Sequence, residues 1–251
     1  MTSTARAGTA RRSSVRGRLV TACAGRPPLL MYHAVGTVAE DPFDLYVTPQ
    51  RFAEQMAALA ALGLRGVSMA ELGDAAARGS TAGLVGITFD DGYHEVLTHA
   101  LPELRRHGFG ATFYAVTGLL GGVNAWDPPP RRELMTADDL RMLAGEGYEI
   151  GSHTVTHARL AGCDPAVLRR EVSASRRALA DLLGKPPRTF CYPYGSVDGA
   201  AVRAVREAGY AYACAVNRAP GLADTYARPR VGVTDRDFGA RLAAKLFLRG
   251  R

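Results

Sequence analysis

The chain has 251 residues, room for one large domain with a sizeable core or for two small ones, and its 47% hydrophobic and 22% charged residues are ordinary for a soluble globular protein. No apolar run approaches the roughly 20 residues that cross a bilayer, which excludes a membrane span. The net charge of +7 belongs to one end: residues 1–26 hold six arginines and no acid, leaving 25 basic against 24 acidic residues and no expectation of nucleic-acid binding by the body.

Those first residues, MTSTARAGTARRSSVRGRLVTACAGR, lack the aromatic and aliphatic content that folds a chain. They read as a disordered Arg-rich tail over 1–26, ahead of a single domain over 27–251. Arg11-Arg12 and the small residues near Cys23 suggest a twin-arginine export signal, but the apolar core of about 7–15 residues that such a signal needs is missing. Cys23, Cys163, Cys191 and Cys214 show no CxxC spacing. Reduced thiols and a cytoplasmic location are therefore expected, in place of a disulfide framework or a thiolate zinc site.

After the tail, Leu29 to Tyr32 reads as a short buried strand that ends at His33. Thr48 as N-cap, Pro49 in the first turn, apolar Phe52, Met56 and Leu59, and Gly63 as the stop predict a helix. Ser68 and Glu71 form a capping-box pattern that opens a second helix. LVGITF is an apolar run of strand length, suited to a strand covered on both faces. Helix and strand then alternate: VLTHALPELRRHG and FGATFYAV; Thr136 capping ADDLRMLAGEG before YEIGS; Asp164-Pro165 opening a long helix before RTFCYP; and DGAAVRAVREAG before YAYACAV. Such βαβ alternation predicts an α/β fold with about seven parallel strands, as an open doubly wound sheet or a barrel, with functional residues at the C-terminal ends of strands.

Three polar clusters fall at such ends. Asp90-Asp91-Gly92 follows LVGITF; it reads equally as a solvated Asp-Gly turn or as two acids brought together by a glycine-permitted bend. His153 and His157, four apart after YEIGS, suit one face of a helical turn, from which both could reach one metal ion. Two histidines and one carboxylate make the three-ligand set of a catalytic zinc site with an open position. Pro193, Tyr194 and Gly195 end RTFCYP as a plain turn or as a rigid loop that aims a backbone N–H at an oxyanion.

In this order, TFDDGY, SHTVTH and YPYG resemble the polysaccharide deacetylases, the NodB-homology group of carbohydrate esterase family four, from about Leu29 to Val233. The resemblance implies a distorted, incomplete (β/α) barrel holding one divalent metal, most often Zn2+, with Co2+, Ni2+ or Mn2+ as other choices. It implies Asp91, His153 and His157 as metal ligands, Asp90 as catalytic base and the Tyr194 backbone N–H as an oxyanion donor. The reaction implied is hydrolysis of an acetyl group from an N-acetylated sugar, in a polysaccharide, peptidoglycan or a glycoconjugate.

Two departures stand out. Cys191 occupies the place of an arginine that orients the base, and no Leu-x-x-His lies near the C-terminus to supply a general acid. LLMYHAVG is similar to the opening strand of a subgroup with permuted motif order, which points to His33 as the acid. Arg230 reads as a replacement for the missing arginine or as a surface salt bridge. Trp126, the only tryptophan, reads as a sugar-stacking ring or as packing; with Tyr93, Tyr192 and Pro193 it makes the expected substrate-binding set. Two alternatives to a glycan deacetylase are a barrel that binds carbohydrate without turnover and a deacetylase of a small acetamide or ester.

Overall fold

The computed structural model describes residues 27–248 except 218, 220, 223 and 224; the expected tail lies outside the described residues. Strand β1 (Leu29–Tyr32) leads through the two-residue strands β2 (Ala34–Val35) and β3 (Tyr46–Val47) into helix α1 (Pro49–Ala61). As expected, Thr48 caps α1, its side chain accepting the Arg51 N–H, and the chain leaves this helix through Gly63 at φ +76°. Next come β4 (Arg65–Val67), α2 (Met69–Ala77) and β5 (Leu84–Phe89). Ser68 Oγ accepts the Glu71 N–H, while the Glu71 carboxylate pairs with Arg65, 2.7 Å away. The complete reciprocal capping box is found at Thr136 and Asp139 instead.

The rest of the chain alternates as the sequence pattern implies: α3 (Glu95–His99), α4 (Leu101–His107), β6 (Thr112–Ala115), α5 (Ala137–Gly145) and β7 (Glu149–Ser152). Helix α6 (Pro165–Arg169) passes through a π-helical turn, Arg170–Ala174, into α7 (Ser175–Leu183). Then follow β8 (Thr189–Cys191), α8 (Gly199–Glu207), β9 (Tyr212–Cys214), β10 (Val231–Gly232) and α9 (Gly239–Leu248). No helix among the described residues is long and apolar enough to cross a membrane.

All pairings in the main sheet are parallel; the order is β10-β1-β5-β6-β7-β8-β9, with β4 joined to the start of β5. The two ends meet through one bridge, Cys214 to Arg228, and through the Arg230 N–H bonded to Val216 O at 3.3 Å. The result is a distorted barrel, incompletely closed at one seam.

Strand periodicity sorts the side chains. Val85, Ile87 and Phe89 face outward into the core under α1, α4 and α5, where Phe89 and Phe113 stack at 5.0 Å. The opposite parity faces the interior and must fit a narrow space. A Cβ on Gly86 would meet Leu29 Cδ1 at 2.3 Å, and one on Gly151 would meet Tyr114 Cε1 at 2.3 Å. Met69, Leu72 and Ala75 of α2 pack with Leu29 and Leu84, the first residues of β1 and β5, and so plug the N-terminal end of the barrel. The acids Asp90-Asp91 and the histidines His153 and His157 lie past the C-terminal ends of β5 and β7.

Helix α9 is tied on by buried polar bonds. Gln55 Nε2 donates to Asp237 O at 2.8 Å, and Tyr32 donates its hydroxyl to Gln55 Oε1 at 3.1 Å. The buried Asp237 carboxylate accepts from the Thr234 N–H (2.8 Å), Arg241 Nε (2.9 Å) and Lys245 Nζ (2.5 Å). Burial pushes this carboxyl up, but the donors and the lysine charge outweigh burial and hold it below 3.8. A lowered folded-state value stabilises the fold above the unfolded value and loses that effect as pH falls through the folded one. Asp237→Asn should therefore cost about 2 kcal/mol at pH 7 in urea unfolding, with the gap to wild type narrowing as pH falls below about 4.

Candidate active site

Strand β5 ends at Phe89, and the two acids follow. Asp90 keeps the interior-facing parity of Thr88, whereas Asp91 and Gly92 adopt left-handed conformations, φ +69° and +76°, with the Gly92 N–H on Asp90 O at 2.8 Å. This bend solves the alternation problem: one carboxylate stays in the barrel and the other swings to its rim.

At the rim, Asp91 Oδ1 lies 3.3 Å from His153 Nε2 and 3.2 Å from His157 Nε2. The histidines are not on a helical turn, as their spacing suggested. Thr154 and His157 both have positive φ, +69° and +64°, and the Thr154 hydroxyl accepts the His157 N–H at 2.9 Å. His153 Nδ1 lies 2.8 Å from Cys191 O, which can only accept, so Nδ1 carries the hydrogen. In the neutral ring, Nε2 then points a lone pair at a carboxylate oxygen. Such an arrangement is repulsive until a cation sits among the donors, and Asp91, His153 and His157 offer three ligand atoms within 4.8 Å of one another. Two imidazoles and one carboxylate suit zinc and neighbouring divalent ions. Burial pushes the Asp91 carboxyl up; where the imidazoles are instead protonated, their hydrogen bonds outweigh burial and take it well below the ordinary range.

Asp90 has a different partner. Arg230 grips it bidentately, Nη1 on Oδ1 and Nη2 on Oδ2, each at 2.6 Å, and neither residue is more than 6% exposed. This rules out the surface salt bridge. Arg230 precedes Val231, the partner of Leu30, while Asp90 follows Phe89, the partner of Tyr32, so the arginine reaches up inside the barrel. It is braced by donating to Ala215 O (3.1 Å) and Thr88 Oγ1 (3.0 Å). Cys191 Sγ sits 3.0 Å from Arg230 Nη2 and 3.5 Å from Asp90 Oδ2, with its thiol pushed up by burial. Burial also pushes the Asp90 carboxyl up, but the charge and hydrogen bonds of Arg230 outweigh it and lower the net value.

His33, directly after β1, brings Nε2 to 4.0 Å from Asp90 Oδ2 and keeps a fifth of its side chain exposed. Tyr194 is 43% exposed, with left-handed backbone (φ 58°, ψ 10°). Its ring joins a row of contacts: Arg159 lies 3.8 Å over Tyr194, Tyr194 meets His157 edge-on at 4.5 Å, and Trp126 packs against His157 at 4.2 Å. His157 Nδ1 is buried without a hydrogen-bond partner, so ring contacts hold this imidazole. Trp126 thus packs against a candidate ligand and also borders the small cluster of Ala34, Tyr93 and Leu134.

Three expected substrate contacts need correction. Tyr93 is 2% exposed and accepts from Asn124 Nδ2, Tyr192 is 0% exposed and donates to Tyr226 O, and Pro193 is buried in the turn. Their side chains support the site from behind, because the apolar rings are worth more in the core than at a wet rim. Thr88 and the Cys191 carbonyl were not legible as site residues. Thr88 had one signal, its inward parity with Asp90; the Cys191 carbonyl is backbone and has none.

Fold and donors together define a (β/α)-barrel protein in which a cluster of two histidines and one aspartate lies beside an ion-paired carboxylate. The polysaccharide deacetylase family model matches residues 77–213, and the chain belongs to that family. YxkH of Bacillus subtilis is 27% identical over 162 residues, 63% of this chain and 54% of that protein. A chitin deacetylase of Pestalotiopsis sp. is 33% identical over 124 residues, 49% of this chain and 38% of that enzyme. The chain therefore spans about half or less of these curated relatives. Among solved structures, the Streptococcus pyogenes deacetylase PplD, in complex with acetate, shares the fold at a TM-score of 0.76 and 22% identity, over 88% of this chain and 98% of that one.

Removing one partner of a buried ion pair leaves the other uncompensated. Arg230→Met should lower stability by about 3–5 kcal/mol in denaturant unfolding, and adding Asp90→Leu to it should recover most of that loss.

Proposed function

We propose that the protein is a metal-dependent hydrolase that removes an acetyl group from an N-acetylated sugar. The observation that carries this reading is the pairing of two unlike carboxylates at the open end of the barrel, one among imidazole nitrogens and one on a guanidinium. Asp91, His153 and His157 would hold the ion, zinc first and Co2+, Ni2+ or Mn2+ as alternatives. Such an ion, when bound, polarises a carbonyl and lowers the pKa of a coordinated water toward about 7.

Asp90 takes the proton of the attacking water. Arg230 uses one lone pair on each Asp90 oxygen, so each keeps another for that proton, and the guanidinium holds the carboxylate ionised and in one orientation. The Tyr194 N–H is assigned to the developing oxyanion; the next two amides are already spent, Gly195 on Tyr192 O and Ser196 on Pro193 O. His33 protonates the departing amine, which is too basic to leave as an anion. The Arg230–Asp90 pair also weakens the case for a binding-only barrel, since it supplies the arginine that Cys191 does not. An N-acetylated glycan substrate is supported by the chitin deacetylase relative.

Wild-type protein loaded with zinc should release acetate from N-acetylated chito-oligosaccharides, chelation should abolish release, and His153→Ala should be inactive at any zinc concentration. Undiminished release in His153→Ala, or after chelation, would contradict the reading. A second comparison isolates the acid. His33→Ala should lower turnover of the acetamide by about 10²–10⁴ while sparing an activated acetyl ester, whose leaving group needs no proton. Equal losses on both substrates would remove His33 from that role.

A further inference from the structure

The turn that carries His157 is irregular, and four of the polar backbone groups in its middle have partners outside it. Thr154 O accepts the Thr117 N–H at 3.1 Å, and Val155 O accepts the Gly118 N–H at 2.8 Å. The amides on the other side, those of Val155 and Thr156, both donate to one oxygen of Glu171 at 3.0 Å, and the Thr156 hydroxyl donates to the other, also at 3.0 Å. Glu171 is 0% exposed. A carboxylate this deeply buried needs partners, and the turn supplies most of them, with Arg170 Nη2 at 3.4 Å.

The helix is also built to deliver it. Glu171 lies in the π-helical turn Arg170–Ala174, a wide turn of the kind that collects at functional sites. Four residues on, Ser175 Oγ meets Ser152 Oγ at 2.6 Å, and Ser152 directly precedes His153. One helical segment thus grips the chain just before each histidine. Left-handed Thr154 and His157 have no regular ladder of their own to hold them.

We propose that Glu171 is a positioning residue for metal binding: from inside the helix it fixes the 154–157 turn, and through it the approach of His157 to Asp91. This rests on reading Asp91, His153 and His157 as a metal site. Polar groups that orient ligands typically change metal affinity about 10–100-fold when removed. Glu171→Gln keeps the shape and replaces charge-assisted bonds by neutral ones, whereas Glu171→Ala removes them.

The test is zinc affinity of metal-free protein, measured by competition with a chromophoric chelator, beside the unfolding midpoint of the same metal-free samples. Glu171→Gln should raise the zinc dissociation constant about 10-fold and Glu171→Ala toward 100-fold, while folded protein persists at the assay temperature. If Glu171→Ala fails to fold, Glu171→Gln decides alone. A zinc affinity for Glu171→Gln within two-fold of wild type, even with a lowered unfolding midpoint, would make Glu171 structural only and overturn the proposal. Absence of zinc binding by the wild type would overturn the metal reading itself, and is distinguishable from the first result.

Discussion

A guanidinium inside a barrel is costly to bury, and the grip of Arg230 on Asp90 is what makes both charges tolerable there. Much of the molecule follows from accommodating that pair. The segment 228–232 must bridge from β9 to β1, which nearly closes the barrel and raises Arg230 along its axis. Ala215 O, Thr88 and Cys191 then line the guanidinium, and small Gly86 and Gly151 leave room for the crowded interior. Among the described residues, α2 plugs the opposite end.

The adjacent acids are explained by having separate counter-charges. Asp90 remains in strand parity and is neutralised by Arg230; Asp91 leaves the strand through a left-handed bend and joins two imidazoles. A smaller displacement would leave the two carboxylates sharing one environment, where like charges drive one pKa up. The bend therefore has a chemical consequence: two adjacent acids acquire different direct partners, the Arg230 guanidinium for Asp90 and the two imidazoles for Asp91.

Much of this was legible in the sequence because it depends on local pattern. The apolar run LVGITF suited a covered strand, Thr48-Pro49 and Asp164-Pro165 start helices where they should, and the polar clusters fall after strands as a parallel sheet or barrel predicts. Features that depend on long-range packing were legible only as alternatives or not at all. Arg230 reaches Asp90 across 140 positions, and the sequence offered it both as the replacement arginine and as a surface salt bridge without separating the two. Tyr93 and Tyr192 sit beside motif residues, but neighbours in a strand or bend point apart, and their rings went to the core. Glu71 was diverted from its capping box by Arg65, three-residue β4 is too short for periodicity to show, and the His153–His157 spacing fits a helix although a left-handed turn delivers it.

The roles proposed for Asp90 and Asp91 are separate, and calorimetric titration of metal-free Asp90→Asn and Asp91→Asn with zinc distinguishes them. Asp90→Asn should bind one equivalent at close to wild-type affinity, while Asp91→Asn should bind none with comparable strength. Loss of zinc binding in both variants to the same extent would show that the acids act as one ligand pair and would contradict that separation.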